Sequence, residues 1–198
     1  MINTCAGRIP RPDVRSSGRQ PYEQRAFALR NFILPRAVED GAYGEVIVVG
    51  EWEPGEGYKY IPVKSEYYSC VDALAQRHVG AEYARGEWIC FQHDDHIIDY
   101  LPYIQSGADV VVPERWTRLR RGVGERLNNG EDDGYISGHC AFYRREVLLA
   151  APWRDVPKVH TWDEAHTQQI LAAGFHIEWV DNFRVWDCER GASRGAKS

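Results

Sequence analysis

Apolar runs broken by turn-forming and charged residues divide this chain into alternating strands and helices. Glu45-Val46-Ile47-Val48-Val49 is a near-continuous apolar run that stops in the turn-rich Gly50-Glu51-Trp52-Glu53-Pro54-Gly55, the pattern of a strand buried on both faces. Glu87-Trp88-Ile89-Cys90-Phe91, entered through the Arg85-Gly86 turn signal, reads the same way. Shorter strands are expected over Met1 to Cys5, Tyr58 to Val63, Asp109 to Val112, Ile136 to Phe142, Phe175 to Val180 and Phe183 to Trp186. Helical spacing covers Tyr22 to Glu39, with Phe27, Phe32 or Ile33, and Leu34 apolar and Pro35 kinking or ending it. A second helix starts at the Ser69/Asp72 capping signature and reaches about Arg85. Glu146 to Ala150 predicts a short helix, and Thr161 to Ala173 a longer one closed by Gly174. Ala6 to Gln20 and Asn128 to Gly134 are polar loops, and Gly191 to Ser198 is a frayed tail. Strands alternating with helices predict an α/β fold: one domain with a mostly parallel central sheet flanked by helices.

Composition narrows this picture. At 198 residues the chain suits one domain, and its 43% hydrophobic content is that of an ordinary globular protein. A net charge of −5 offers no global attraction to nucleic acid or anionic membrane, so a polyanion contact requires a local basic patch. Cys5, Cys70, Cys90, Cys140 and Cys188 are scattered, odd in number and never spaced Cys-x-x-Cys, as expected of reduced packing residues in a cytoplasmic chain. The N-terminus lacks a charged-then-apolar leader pattern, and no apolar run nears the ~20 residues that span a bilayer. The expectation is a soluble protein with no membrane partner.

The candidate chemistry sits where the Trp88-to-Phe91 run breaks off into Gln92-His93-Asp94-Asp95-His96. Those acids fall at the C-terminal mouth of a buried strand, where open α/β sheets bind ligands. Carboxylates with one or two imidazoles suit Mn²⁺ or Mg²⁺ that keeps positions open for phosphate oxygens, whereas a closed zinc site wants more Cys or His at fixed spacing. The plain alternative is a solvated acidic turn.

Arg77-His78-Val79-Gly80, Ala84-Arg85-Gly86-Glu87-Trp88-Ile89, Phe91 and His93-Asp94-Asp95 together resemble the block R-N-x-G … A-x-G-E-Y-I-x-F-x-D-x-D of family-2-like glycosyltransferases with the GT-A fold. Order and spacing both match over this stretch. Asp163-Glu164 followed by Gly174-Phe175 is similar to that family's E-D … G-Y element, and Val46 to Glu51 to its I-I-V-V-D-D strand. The resemblance covers Met1 to about Glu189 and implies a Rossmann-like domain over residues 1–190. Its nucleotide-binding part would span about residues 1–98 and its acceptor part about 99–190. The implied activity is metal-dependent transfer of a sugar from a nucleotide-sugar donor, UDP-linked, to an acceptor hydroxyl, with inversion.

Carried over by position, Asp95 is similar to the metal-binding acid and Asp94 to the middle residue near the donor ribose or sugar. His93 stands where the family usually has its first Asp; an imidazole can still bind a ribose hydroxyl or a metal. Glu51 matches the acid that recognises the uracil ring, Thr4, Cys5 and Arg8 line the same nucleotide pocket, and Arg77 contacts donor phosphate or ribose. Glu164 matches the family's catalytic base, with Asp163 as understudy. Read without the resemblance, Thr161-Trp162-Asp163-Glu164 is a capping box, in which Glu164 returns a hydrogen bond to the helix start. The family often places a histidine after its last strand, whereas this chain has Val185-Trp186-Asp187-Cys188. Asp187 is the substitute metal ligand, with His160 and His166 as further candidates. Trp162 and Trp186 are of the type that stacks on sugar or base, although core packing is the default for both.

Arg115, Arg118, Arg120, Arg121 and Arg126 fall within twelve residues, opposed there only by Glu125. Guanidinium forks grip phosphates, so the segment reads as a lid on the donor diphosphate, as a clamp on a polyanionic acceptor such as DNA, or as a solvated helix face or loop. The acceptor classes considered are a glycan and a hydroxyl-bearing base in DNA, the latter flipped from the stack. Other readings are a non-catalytic nucleotide-sugar-binding module, a metal-dependent phosphohydrolase suggested by His93-Asp94, and a nucleotidyltransferase. The last would want a glycine-rich phosphate loop where only Ala6-Gly7-Arg8 stands.

Overall fold

A computed structural model describes residues 2–4, 29–39, 43–63, 70–93, 96–98, 107–113, 115–120, 123–128, 135–136, 140–156, 162–180 and 185–187. Of these, 2–4, 70–73, 93, 96–98, 113, 115–120, 123–128 and 185–187 are described by their backbone alone. The expected tail over residues 191–198 and the Ala6-to-Gln20 loop lie outside the described residues.

The α/β class read from the sequence is observed, but the strands form two mixed sheets instead of one largely parallel sheet. The larger sheet has seven strands: β1 (Ile2–Thr4), β2 (Ile47–Gly50), β3 (Lys59–Pro62), β4 (Trp88–His93), β6 (Val110–Pro113), β9 (Cys140–Arg144) and β10 (Ile177–Val180). They lie in the order β10-β6-β9-β4-β1-β2-β3. Pairs β3/β2, β2/β1, β1/β4 and β6/β10 are parallel, while β9 runs antiparallel to both of its neighbours. The smaller sheet joins β5 (His96–Ile98), β11 (Val185–Asp187), β7 (Arg115–Arg120) and β8 (Val123–Asn128) in that order. The arginine-rich segment, read as a diphosphate lid, a polyanion clamp or a solvated helix face or loop, forms the antiparallel strands β7 and β8.

Period-two alternation explains how the larger sheet is covered on both sides. Ile47, Val49, Ile89, Phe91, Val110, Val112, Ala141 and Tyr143 share one buried cluster. It is closed by Leu74 of α2 (Cys70–Tyr83), Val147 and Leu148 of α3 (Arg145–Ala150), Trp153 of a short 3-10 turn (Trp153–Asp155) and Ile170 of α4 (Trp162–Ala172). The intervening residues face the other way: Cys90, Val111, Cys140 and Phe142 form a second cluster. Val48 joins a third with Leu29, Ile33, Leu34 and Ala37. Every residue of β2 is buried, which is why its sequence reads as an unbroken apolar run.

Two helix ends carry sequence logic. The expected helix from Tyr22 to Glu39 appears, within its described part, as a π turn over Leu29–Ile33 followed by α1 (Leu34–Glu39). Pro35 has no N–H to give to the preceding turn, so a regular ladder cannot run through it. At the other end of the chain, Gly174 takes a left-handed φ of 85° just past α4. Its N–H reaches the Leu171 carbonyl at 3.0 Å, and the Phe175 N–H reaches that of Ile170 at 3.3 Å. This is the Schellman pairing, with Phe175 packed on the core that buries Ile170.

Candidate functional site

Strand order locates the site before any side chain is considered. From β1, strands β2 and β3 extend to one side, whereas β4 lies on the other, so the sheet's direction of growth reverses between β1 and β4. In an open α/β sheet, the carboxyl ends of strands flanking such a switch point border a ligand crevice. Of the expected site residues, Thr4, Glu51 and His93 stand at those strand ends. Thr4 ends β1 in register with Gly50 of β2, and Asn3 is in register with His93, the last residue of β4. Glu51 directly follows Gly50. Cys5 and Arg8, which follow β1, and Asp94 and Asp95, which follow β4, lie outside the described residues.

The backbone on either side of Glu51 is pinned by one side chain that sequence reasoning did not single out. The Tyr60 hydroxyl donates to the Gly50 carbonyl at 3.1 Å and accepts the Trp52 N–H at 3.2 Å, so both chain neighbours of Glu51 are tied to β3. Next to it, Arg30 stands over the Trp52 ring at 5.4 Å and pairs with Glu53 at 2.8 Å. The Tyr58 hydroxyl donates to the Glu53 carbonyl at 2.9 Å. Glu51 itself is half-buried on this braced loop.

Arg77 is placed differently from the expected donor contact. It is 2% exposed, and its guanidinium faces Phe91 at 5.3 Å, Trp153 at 5.0 Å and Trp162 at 5.2 Å. A cation enclosed by three ring faces is not presented to a diphosphate; its physical work is to hold α2, β4, the 3-10 turn and α4 together. Burial lowers its pKa, opposed by the nearby Tyr143, Cys140 and Asp163. Because Phe91 lies two residues before the end of β4 and Trp162 opens α4, this shared cation sets the first turn of α4 beside the outer half of β4. Trp162 is thereby a packing residue, as its default reading had it.

Asp163 and Glu164 sit in that first turn. The Asp163 carboxylate accepts the Glu164 N–H at 3.1 Å, and the Asp163 carbonyl accepts the Thr167 hydroxyl at 2.8 Å. Thr167 Oγ1 in turn accepts the Ile136 N–H at 2.9 Å, which fastens the helix start to the segment leading into β9. Glu164 is exposed. Thr161, the other half of the expected capping box, lies outside the described residues, as does His160.

His166 does not reach toward a metal. It is 1% exposed, stacked on Trp153 with ring centroids 3.4 Å apart, and its Nε2 lies 3.0 Å from the Ala151 carbonyl. Burial first, and the Arg77 charge second, push its pKa down to about 3 against the pull of that hydrogen bond. The ring is therefore neutral and donates from Nε2. Burial raises the Tyr143 phenol on this face of β9 and, on the opposite face, holds Cys140 well above the ordinary thiol range. Cys90 and Cys140 are buried thiols with their sulfurs 3.8 Å apart.

The smaller sheet carries the remaining expected residue, Asp187. Two residues, Asp94 and Asp95, separate the last residue of β4 from the first of β5, so the acidic pair is the whole connection between the two sheets there. Asp187 ends β11 opposite His96 and, on its other side, opposite Arg118 of β7. Trp186 registers with Ile97 and Thr117. Among the described residues no group of three or more His, Cys, Asp or Glu stands ready to hold a metal. The backbone places His96 and Asp187 in register across β5 and β11. No helix among the described residues is long and apolar enough to cross a membrane.

No protein-family model matches the chain, and no curated protein matches it. Among solved structures it is similar to GalNAc-T7, crystallised with UDP, GalNAc and Mn²⁺. The TM-score is 0.52 at 12% sequence identity, over 72% of this chain and 37% of that one. A197 from STIV matches with a TM-score of 0.44 at 11% identity, over 66% of this chain and 72% of that one. The bifunctional IspDF from Campylobacter jejuni matches with a TM-score of 0.43 at 13% identity, over 80% of this chain and 41% of that one. The chain thus shares a fold with a glycosyltransferase while spanning little more than a third of its length.

Proposed function

We propose that the chain transfers a sugar from a nucleotide donor, a UDP-sugar, to an acceptor hydroxyl with inversion, using a divalent cation held at Asp95. The observation that supports this reading is the position of Thr4, Glu51 and His93 at the carboxyl ends of β1, β2 and β4, on either side of the switch point, with Asp94-Asp95 next in the chain after β4. The fold shared with GalNAc-T7 supports it.

In this reading Glu51, braced by Tyr60, takes the hydrogen-bond donors of the nucleotide base. Thr4, Cys5 and Arg8 line the nucleotide pocket beside it. His93 and Asp94 meet the ribose and the sugar. Asp95 and Asp187 would hold the cation through their carboxylates, and the chemistry it would supply when bound is charge stabilisation of the departing diphosphate. Glu164 takes the proton of the acceptor hydroxyl as that oxygen attacks the anomeric carbon, with Asp163 second in line.

The test is sugar transfer and donor hydrolysis over a panel of nucleotide sugars with Mn²⁺. Glu164→Gln is expected to lower the transfer rate by about 10²- to 10⁴-fold while donor affinity stays within about threefold, the signature of a lost general base. Donor binding with neither transfer nor hydrolysis under any metal would instead make the chain a nucleotide-sugar-binding module.

A further inference from the structure

Glu164 is exposed in the first turn of α4, so its place relative to β4 depends on what fixes that turn. We propose that Arg77 is the positioning residue for Glu164: its guanidinium, set between Phe91 of β4 and Trp162 of α4, fixes the helix that carries the base against the strand that leads to the donor. This rests on the reading of Glu164 as the base in sugar transfer.

Trp162 and His166 lie one helical turn apart, and both meet the Trp153 ring, edge-on at 5.6 Å and stacked at 3.4 Å. The body of α4 is docked by His166, whose Nε2 donates to the Ala151 carbonyl at 3.0 Å, and by Ile170 in the core. Its first turn has two further ties. One runs from the Asp163 carbonyl through the Thr167 hydroxyl to the Ile136 N–H, toward β9. The other is Arg77, 5.2 Å from the Trp162 ring, and it leads to β4 because the same guanidinium lies 5.3 Å from the Phe91 ring, two residues short of His93 at the strand's end. The Asp163 carboxylate, which accepts the Glu164 N–H at 3.1 Å, is among the charges that act on Arg77.

Cohesion alone does not call for a cation here. An apolar side chain of similar volume in place of a buried charge is often neutral or stabilising. A guanidinium differs in being planar and charged, so it meets the rings of three segments at once and orients them. In-line attack at an anomeric carbon depends on such orientation, since a misplacement of about 1 Å can cost about 10²-fold in rate. In a purely structural role Arg77 would hold the core together and nothing more. The two roles differ in whether the effect of Arg77 on turnover passes through Glu164.

The test is a double-substitution cycle on donor consumption, read as UDP released from UDP-hexoses and UDP-N-acetylhexosamines with Mn²⁺. As the oxygen of acceptor or water bonds to the anomeric carbon, its proton goes to Glu164 and the bond to the diphosphate breaks, so each event releases one UDP. Arg77→Met is expected to lower kcat about 10- to 100-fold while the donor KM stays within about threefold. In a Glu164→Gln background the same substitution should change kcat by less than about threefold, because no base is left to misplace. Arg77→Lys, which keeps the charge and loses the plane, is the second variant should the first not fold, as judged by circular dichroism. Equal fractional losses in the two backgrounds, or an unchanged kcat in Arg77→Met, overturn the assignment and leave the transfer reading standing. Amide exchange supplies a readout that needs no catalysis: protection over Trp162–Thr167 should fall at least about tenfold in the Arg77 variant while that of β2 holds. If the wild type consumes no donor and this protection is lost, the transfer reading fails and the placement of α4 by Arg77 stands. If the protection holds, the placement fails as well.

Discussion

The two sheets of this molecule are built from opposite kinds of sequence. The larger one uses Ile-Val-Val-Gly in β2, Val-Val-Val-Pro in β6 and Cys-Ala-Phe-Tyr-Arg in β9, with apolar clusters against both faces. The smaller one uses Arg-Trp-Thr-Arg-Leu-Arg in β7 and Val-Gly-Glu-Arg-Leu-Asn in β8, too rich in charge to be enclosed on both sides. One sheet is therefore a packed platform and the other is charge-rich in sequence, and in the chain Asp94-Asp95 falls between β4 of the first and β5 of the second. Arg77 sharpens the contrast, since the larger sheet also holds a cation but confines it among rings, where it fastens elements together.

The strongest way to break this division is to cut the platform. Phe91→Ala removes a 0% exposed ring that packs edge-on to Tyr143 and Trp153 and underlies Arg77, and should cost about 3 to 5 kcal/mol in denaturant unfolding. Arg120→Ala on the hairpin should cost no more than about 1 kcal/mol in the same experiment. Comparable losses would mean that the smaller sheet is as much a part of the stability core as the larger.

Acid probes the same platform through His166. Its folded-state pKa, about 3, lies below the ordinary 6.5, so between those values the unfolded chain binds the extra proton and the folded chain does not. The neutral ring's contribution is full above about pH 6.5 and is lost as pH falls toward 3, at up to about 1.4 kcal/mol per pH unit. Stability measured from pH 7 to 4 should fall with that slope in the wild type and flatten in His166→Gln. Equal slopes would place the acid sensitivity elsewhere. A small effect is expected at the rim: Tyr60→Phe removes the hydroxyl that ties Gly50 to Trp52, costing about 1 kcal/mol of stability. If that bracing also sets Glu51, donor affinity weakens in this variant while the turnover number holds.

How much of this was legible in the sequence follows from how local each signal is. Continuous apolar runs revealed β2 and β4, and Gly174 revealed the end of α4, because burial on both faces and a left-handed φ each leave a mark within a few residues. The hairpin left no such mark. Its arginines occupy Arg115, Arg118 and Arg120 with Trp116 and Leu119 between them, a pattern that fits neither period cleanly, and its strands are specified by pairing with the distant β11. The antiparallel β9 is equally a product of long-range pairing, inserted between β4 and β6. Arg77 read as a surface contact because what buries it comes from Phe91, Trp153 and Trp162, three separate segments. Of the candidate site, the rim positions Thr4, Glu51 and His93 followed from strand ends. The register of Asp187 with His96 did not, since it joins residues 91 positions apart.

The central claim is that a cation beside Asp95 mediates nucleotide binding at the junction of the two sheets. Calorimetric titration of UDP into the chain, with Mn²⁺ and then with chelator, measures this directly in the wild type and in Asp95→Ala. The account predicts binding that needs Mn²⁺ and is weakened at least about a hundredfold by the substitution, roughly 2.7 kcal/mol. UDP binding of equal strength in chelator and in Asp95→Ala would contradict it.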